Sequence, residues 1–202
     1  LIDSGLDEAL AAEDVPFVDL NHDDLVKVAV KGGYTKLSHL LLPRTVVEAD
    51  LVVSVPKMKT HHWAWVSLSM KNLFGVVPGA KYGWPKNRLH FNGIEPSIVE
   101  LYETLAPRLA LVDGVVGMEG DGPVYGEARR SGVLVMGTDL VAVDATCARI
   151  MGFRPEEIKH LALAERLGLG RLGEGQVAIR GERLAEVRRS YAAPPVNLGR
   201  MG

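Results

Sequence analysis

Between Leu51 and Ile94 the chain has no aspartate or glutamate, although it holds 25 acidic residues in all. The same stretch carries Lys57, Lys59, Lys71, Lys81, Lys86 and Arg88, together with His61, His62 and His90. All three tryptophans, Trp63, Trp65 and Trp84, lie in it as well. Cations and aromatic rings with no carboxylate among them suit a place that receives an anion.

Four constellations within and beyond this stretch carry chemistry. The first is Pro56 to His62, directly after the apolar run Leu51–Val55. Ligands of open α/β sheets gather beyond the carboxyl ends of strands. There Lys57 and Lys59 would clamp a phosphate or carboxylate, while His61 or His62 would move a proton or bind a metal. A solvated basic loop is the plain alternative. Adjacent histidines lack the i, i+4 spacing of helical zinc motifs, so the metal signal is weak and its identity open.

The second is Ser67 to Asn72. On a helix Ser67 and Lys71 would share a face, and Lys71, flanked by apolar residues, reads as an anion ligand or electrostatic stabiliser. Asn72, Lys81 and His90 are further candidates for holding the anion.

The third is the strand end Asp113-Gly114 with the following glycine-rich segment that bears Glu119 and Asp121. Glycines let backbone N–H groups come close to a ligand, and carboxylates there would orient groups or bind a metal. The fourth is Asp144. On a helix it falls inside the apolar arc of Leu140, Val141, Cys147, Ala148 and Met151, and a carboxylate on a buried face must be paired, hydrogen-bonded or protonated. The basic segment or the backbone N–H groups of a nearby loop would supply its partners. A structural buried contact is the alternative to a role in the site. His22, His39 and His160 read as ordinary structural or surface residues.

These residues need a scaffold, and the pattern supplies one. A helix is expected over Leu6–Glu13 and a strand over Val15–Leu20. A hairpin of Leu25–Val30 and Lys36–Leu42 should turn at Gly32-Gly33, and Pro43 opens a short helix to Ala49. Leu51–Val55 reads as a strand buried on both faces. A helix follows over Ala64–Phe74, then a long loop over Val76–Gly93. Another helix spans Pro96–Leu105, a strand Leu109–Val112, and a loop Val115–Gly126. Gly132–Met136 is a short strand, and Thr138 or Asp139 caps a helix to Met151. Pro155 opens one more helix to about Leu167, and Gln176–Arg180 is a late strand. Apolar strands alternating with helices predict a layered α/β domain with a mixed, mostly parallel central sheet. The front hairpin is the reason to expect mixing.

One domain over 1–202 is expected, with a mobile tail at 190–202. The chain opens at Leu1, without a methionine and inside what reads as domain interior. An N-terminal truncation is therefore expected, and an upstream export signal is left open. Net charge is −2 with 47% hydrophobic residues. That charge argues against a bulk attraction to nucleic acid or an anionic membrane, and the apolar runs are too short to span a bilayer; a cytoplasmic protein with a small anionic ligand at its basic segment is expected. Cys147 is the single cysteine, so these residues alone cannot build a Cys-ligated iron–sulfur cluster.

The segments ADLVVSVPKMKTH, SMKNLFGVVPG, LALVDGVVGMEGDGP and GTDLVAVDATCARIMGF, followed by EEIKHLALAERLGLG, occur here in one order. In that order they resemble the bacterial and archaeal family catalogued as domain of unknown function 362. The resemblance implies an α/β domain often associated with a ferredoxin-like iron–sulfur module. It therefore implies redox chemistry with a separate electron partner. HHWAWVSLSMKNLFGVVPG is also similar in layout to a segment of lactate racemase and its relatives. There a lysine carrying a nickel-pincer nucleotide follows histidines. Lys71 would take the lysine's place and His61 or His62 a histidine's, with Leu68, Ser69 and Met70 standing where that family has glycines. The expectation is an enzyme, an oxidoreductase before a racemase. In it Lys57, Lys59 and Lys71 hold charge, His61 or His62 moves the proton, and Asp113, Glu119 and Asp144 orient groups. A non-catalytic module that presents the tryptophans to a partner, or binds a cofactor for delivery, is the alternative. A concave site would favour the enzyme, a flat aromatic patch the partner surface.

Overall fold

The structure is a computed structural model that describes residues 5–83 and 88–195. Helix α1 (Leu6–Ala12) is followed by extended chain, not by the strand expected at Val15–Leu20. Val15, Phe17 and Val18 are exposed there, so the apolar run has no sheet to join. Strands β1 (Leu25–Ala29) and β2 (His39–Pro43) then pair antiparallel as a separate two-stranded sheet. Leu40 and Leu42 point inward from it. Short helix α2 (Arg44–Val47) starts at Pro43, whose fixed φ suits a helix entry.

The central sheet has five strands: β3 (Val53–Ser54), β4 (Lys57–His61), β5 (Trp65–Ser67), β6 (Leu109–Glu119) and β7 (Glu127–Gly137). β6 is its spine. β3 and β4 both run parallel to it along one edge, in the registers Val53↔Leu109 and Lys57↔Asp113. Pro56 separates them, since it has no N–H for the ladder. Its carbonyl still accepts the Asp113 N–H at 2.9 Å. β7 lies antiparallel on the other edge of β6, and β5 folds back antiparallel on β4. The fold is α/β with a mixed sheet. The mixing comes from β5 and β7, not from the front hairpin, which stands outside the sheet.

Several expected boundaries move. The run Leu51–Val55 is not buried on both faces: Val53 is 40% and Val55 58% exposed. The expected helix Ala64–Phe74 is instead β5 followed by α3 (Ser69–Asn72) and a 3-10 turn at Leu73–Val76. Trp65 sits at φ 69°, which reverses the chain and ends any helix there. Ser67 therefore lies on a strand and Lys71 on the next helix, so the shared helical face does not exist. The expected loop Val76–Gly93 contains α4 (Gly79–Tyr82) and α5 (Arg88–Phe91), while Trp84 and Lys86 lie outside the described residues.

The segment Val115–Glu119 is strand, and only the turn beyond it is loop. The glycines in β6 serve close packing. A Cβ on Gly117 would lie 2.5 Å from both the Met58 carbonyl oxygen and the Tyr191 hydroxyl. Gln176–Arg180 is not a strand; a 3-10 turn at Glu174–Gln176 precedes irregular chain.

The helices that cover the sheet are α6 (Ile94–Leu105), α7 (Leu140–Ile150) and α8 (Lys159–Arg166), with α9 (Leu184–Val187) near the end. The helix expected from Pro155 to Leu167 begins as a separate 3-10 turn at Pro155–Glu157. Asp139 caps α7 by accepting the Ala142 N–H at 3.0 Å. The core gathers Met58, Leu68, Met70, Ile98, Leu101, Leu140, Met151 and Leu161, all without exposed surface. Cys147 is part of it, its thiol pushed well up by burial.

Two polar anchors tie distant segments. Glu100 on α6 is fully buried and accepts N–H groups of Gly32 (3.2 Å), Gly33 (3.0 Å) and Thr35 (3.1 Å), which pins the hairpin turn. Residues 190–195, the start of the expected tail, are docked. Tyr191 is buried, bonds Ser131 at 2.8 Å, and donates its N–H to the Met151 carbonyl at 2.9 Å. Residues 196–202 lie outside the described residues.

Candidate functional site

The carboxyl end of β4 delivers two neighbouring histidines with opposite hydrogen-bond patterns. His61 is buried, and its Nδ1 accepts the backbone N–H groups of Trp63 (3.1 Å) and Ala64 (3.2 Å) in the turn toward β5. Two donors at Nδ1 leave the proton on Nε2. Burial first, then Lys71, His62, His90 and Lys59, press the His61 ring down to about 3. It is therefore a neutral hydrogen-bond donor at neutral pH and not a base.

His62 is half-buried and the reverse holds. Its backbone N–H (3.0 Å) and its Nδ1 (2.8 Å) both meet the Gly122 carbonyl oxygen. The carbonyl can only accept, so Nδ1 carries the proton and Nε2 keeps its lone pair. Gly122 comes this close because it has no side chain: a Cβ there would collide with the Thr60 carbonyl.

Lys71 reaches the same region from α3. Asp144 of α7 is fully buried behind α3, as the apolar arc predicts. It accepts the Ser69 N–H (2.8 Å), the Ser69 hydroxyl (2.6 Å) and the Met70 N–H (2.9 Å). Burial pushes the Asp144 carboxyl up to about 7, against the pull of those donors. Its partners are thus loop and helix-start backbone groups, not lysines. With α3 fixed, the Lys71 Nζ sits 4.1 Å from the centre of the Phe74 ring. Burial, then Lys59, lower its amine to about 8.

Lys59 is half-buried, its Nζ 3.4 Å from the Pro123 carbonyl oxygen, and burial lowers it too. The His90 ring packs edge-on against Trp63 (5.6 Å) and Phe74 (5.1 Å). Among the described residues no carboxylate belongs to the charges that act on Lys59, Lys71 or His61.

The structure brings Lys59, His61, His62, Lys71 and His90 together and leaves the other candidates elsewhere. Lys57 pairs with Asp113 at 2.7 Å on the exposed side of the sheet. That hydrogen bond holds the Asp113 carboxyl below the usual range. None of the interactions of Asp113 among the described residues reaches Lys71 or His61. Asn72 donates to the Ser54 hydroxyl at 3.2 Å, and Lys81 is exposed on α4. Glu119 accepts the Ala192 N–H at 3.0 Å and lies 3.8 Å from Arg129, so it anchors the docked segment 190–195. Among the described residues no group of three or more His, Cys, Asp or Glu side chains is placed to hold a metal ion.

One residue read as ordinary is not. His160 on α8 is fully buried, neither ring nitrogen has a hydrogen-bond partner among the described residues, and the Lys71 charge acts on it. Burial first, then Lys71, hold it at about 3. Its place between Ile158 and Leu161 on a helix was the available signal. Two concave pockets open elsewhere. One of about 320 Å³ is lined by Arg149, Phe153, Glu174 and Arg188, and one of about 570 Å³ by Asp139, Glu165 and Arg171. Trp63 and Trp65 are half-buried, Trp63 against His62 and His90, Trp65 against Phe153 at 6.0 Å. Neither of the two pockets is lined by a tryptophan or by Lys59, His61 or Lys71.

A family described as domain of unknown function (DUF362) matches residues 1–149. A protein of Synechocystis sp., named thylakoid-associated protein sll1697, is 33% identical over 153 residues, covering 72% of this chain and 48% of the relative. The chain thus spans about half the length of the curated relative it matches. No solved structure matches significantly. Among the described residues no helix is long and apolar enough to cross a membrane.

Proposed function

The chain belongs to the DUF362 family, and from that premise we propose that its basic cluster binds a small anionic substrate and makes the protein an enzyme. The observation that carries the reading is the convergence of Lys59, Lys71, His61, His62 and His90 at one strand end, where no carboxylate of the described residues is among the charges acting on Lys59, Lys71 or His61. Such a site is electrostatically incomplete until an anion enters, and low-dielectric surroundings strengthen the attraction. Lys59 and Lys71 supply charge, the His61 Nε2–H donates to an anionic oxygen, and the His62 Nε2 lone pair accepts a proton. Trp63 and Phe74 pack edge-on against the His90 ring beside the cluster. A redox role would draw any Cys-ligated cluster from another chain or domain, since Cys147 is buried in the core.

Calorimetric titration with oxalate and inorganic phosphate tests the reading. Binding should weaken about tenfold or more in Lys71→Ala and in Lys59→Ala, equivalent to about 1.4 kcal/mol each. Unchanged affinity in both variants, with the fold intact, would contradict it.

A further inference from the structure

The two lysines of the cluster are not equivalent, and the difference assigns them different work. Lys59 has a backbone carbonyl, that of Pro123, 3.4 Å from its Nζ. Lys71 has no hydrogen bond or ion pair with any described residue, and its Nζ lies over the Phe74 face. Its stem is largely covered, yet its amine is not sealed in the interior. A second ammonium, that of Lys59, acts on it. Burial and the Lys59 charge disfavour the Lys71 ammonium, against the attraction of the Phe74 face. Desolvation beside another cation is the arrangement that turns a lysine into a nucleophile toward carbonyl carbon.

We propose that Lys71 forms an imine with a short oxo acid, whose carboxylate is held by Lys59 and by the Nε2–H of His61. This rests on the anion-site reading above and names the substrate class and the bond formed. The chemistry balances without an oxidant or reductant. The Nζ lone pair adds to the carbonyl carbon, the C–N bond forms, and the carbonyl π pair moves to oxygen, which takes a proton. The carbinolamine then loses that oxygen as water while Nζ gives up its remaining protons, one per step. His62 accepts and returns the proton at Nε2. The net reaction joins an amine and a ketone and releases one water. The lowering of Lys71 to about 8 supplies free amine near neutral pH.

Reductive trapping tests the proposal. The protein is incubated with pyruvate and cyanoborohydride, and adducts are located by peptide mass mapping. One adduct at Lys71 is expected, increasing between pH 6.5 and 8.5 and suppressed by oxalate. Acetone, a carbonyl without a charge, should label Lys71 at least tenfold less. Lys71→Arg should bind oxalate and give no adduct there. Should that variant not fold, the mapping and the pyruvate-to-acetone ratio on the unaltered protein decide alone. Absence of an adduct while oxalate still shifts the His61 signals would overturn the nucleophile and leave the anion site standing. Labelling spread evenly over Lys57, Lys81 and Lys71 would overturn the proposal, as would labelling of Lys71 that oxalate does not suppress.

Discussion

His61 and His62 differ by one position and leave the same nitrogen, Nε2, free of the backbone in opposite roles, one a donor, the other an acceptor. The sequence marks both as candidates because they sit in an acid-free run of cations. It cannot assign their tautomers, which depend on the Trp63 and Ala64 N–H groups and on a carbonyl at Gly122, 60 residues away. His160 was less legible still, since only the packing of α8 shows it without a partner. Both His61 and His160 titrate at about 3 when folded, below the 6.5 of an unperturbed ring. Between those values the unfolded chain binds more protons, so their contribution is present above about pH 6.5 and is lost as pH falls. Asp144 works the other way, because its raised carboxyl favours the folded state below 3.8 and loses that contribution as pH rises through about 7. Two imidazoles outweigh one carboxyl, so stability should fall from pH 6.5 to 4.5. His160→Phe removes one buried, unpartnered polar ring and should leave stability at pH 7 unchanged or higher, with a shallower acid loss. Urea unfolding across that range measures it. A loss of more than about 2 kcal/mol at pH 7 would mean that the ring has a partner.

At the scale of elements, the decisive contacts are those that place α3 and the Gly122 turn. Val66 is buried on β5 between half-buried Trp65 and Ser67, while Leu68, Ser69 and Met70 are all buried where α3 begins. So short a strand and so short a helix leave no period that the sequence could show. What ends the helix reading physically is the reversal at Trp65, held by the His61 ring. The long strand β6 was also legible only in part. Its glycines suggest a loop until Met58 and Tyr191 are seen against them. Asp144→Ala would strand two backbone N–H groups in the core and leave the Ser69 hydroxyl only the Leu140 carbonyl at 3.4 Å. It should cost roughly 3 kcal/mol or more, read from thermal or urea unfolding, with faster amide exchange at Ser69 and Met70. Gly122→Ala would force the turn off Thr60. It should lower stability by roughly 1–3 kcal/mol and release the His62 Nδ1 hydrogen bond, visible as mixed tautomers in imidazole 15N spectra. A variant that keeps the single tautomer would contradict the role given to Gly122.

Across the whole molecule, the α/β class follows from apolar runs alternating with helical periods, and the core helices α6 and α7 fall where the periodicity puts them. Which face of the sheet is covered does not follow from sequence. On one face β6 buries Ala110 and Val112. On the other, Val55 (58%), Leu134 (63%) and Met136 (68%) remain exposed, with Leu134 opposite Asp113 and Met136 opposite Leu111. Asp113 was the carboxylate expected to join the lysines, because it ends an apolar run. The sheet instead turns it to this open face, where it meets Lys57. Asp113→Ala should therefore change stability by about 1 kcal/mol or less and leave oxalate affinity unaltered. A tenfold loss of affinity would place it back in the site. The central claim is that Lys59, Lys71, His61, His62 and His90 together receive one anion. Long-range 1H–15N correlation of the imidazoles during an oxalate titration tests it most directly. Saturable shifts at His61, His62 and His90 with a common affinity are predicted, weakened in Lys71→Ala. No shift at these three rings, or shifts at His22 or His39 instead, would contradict it.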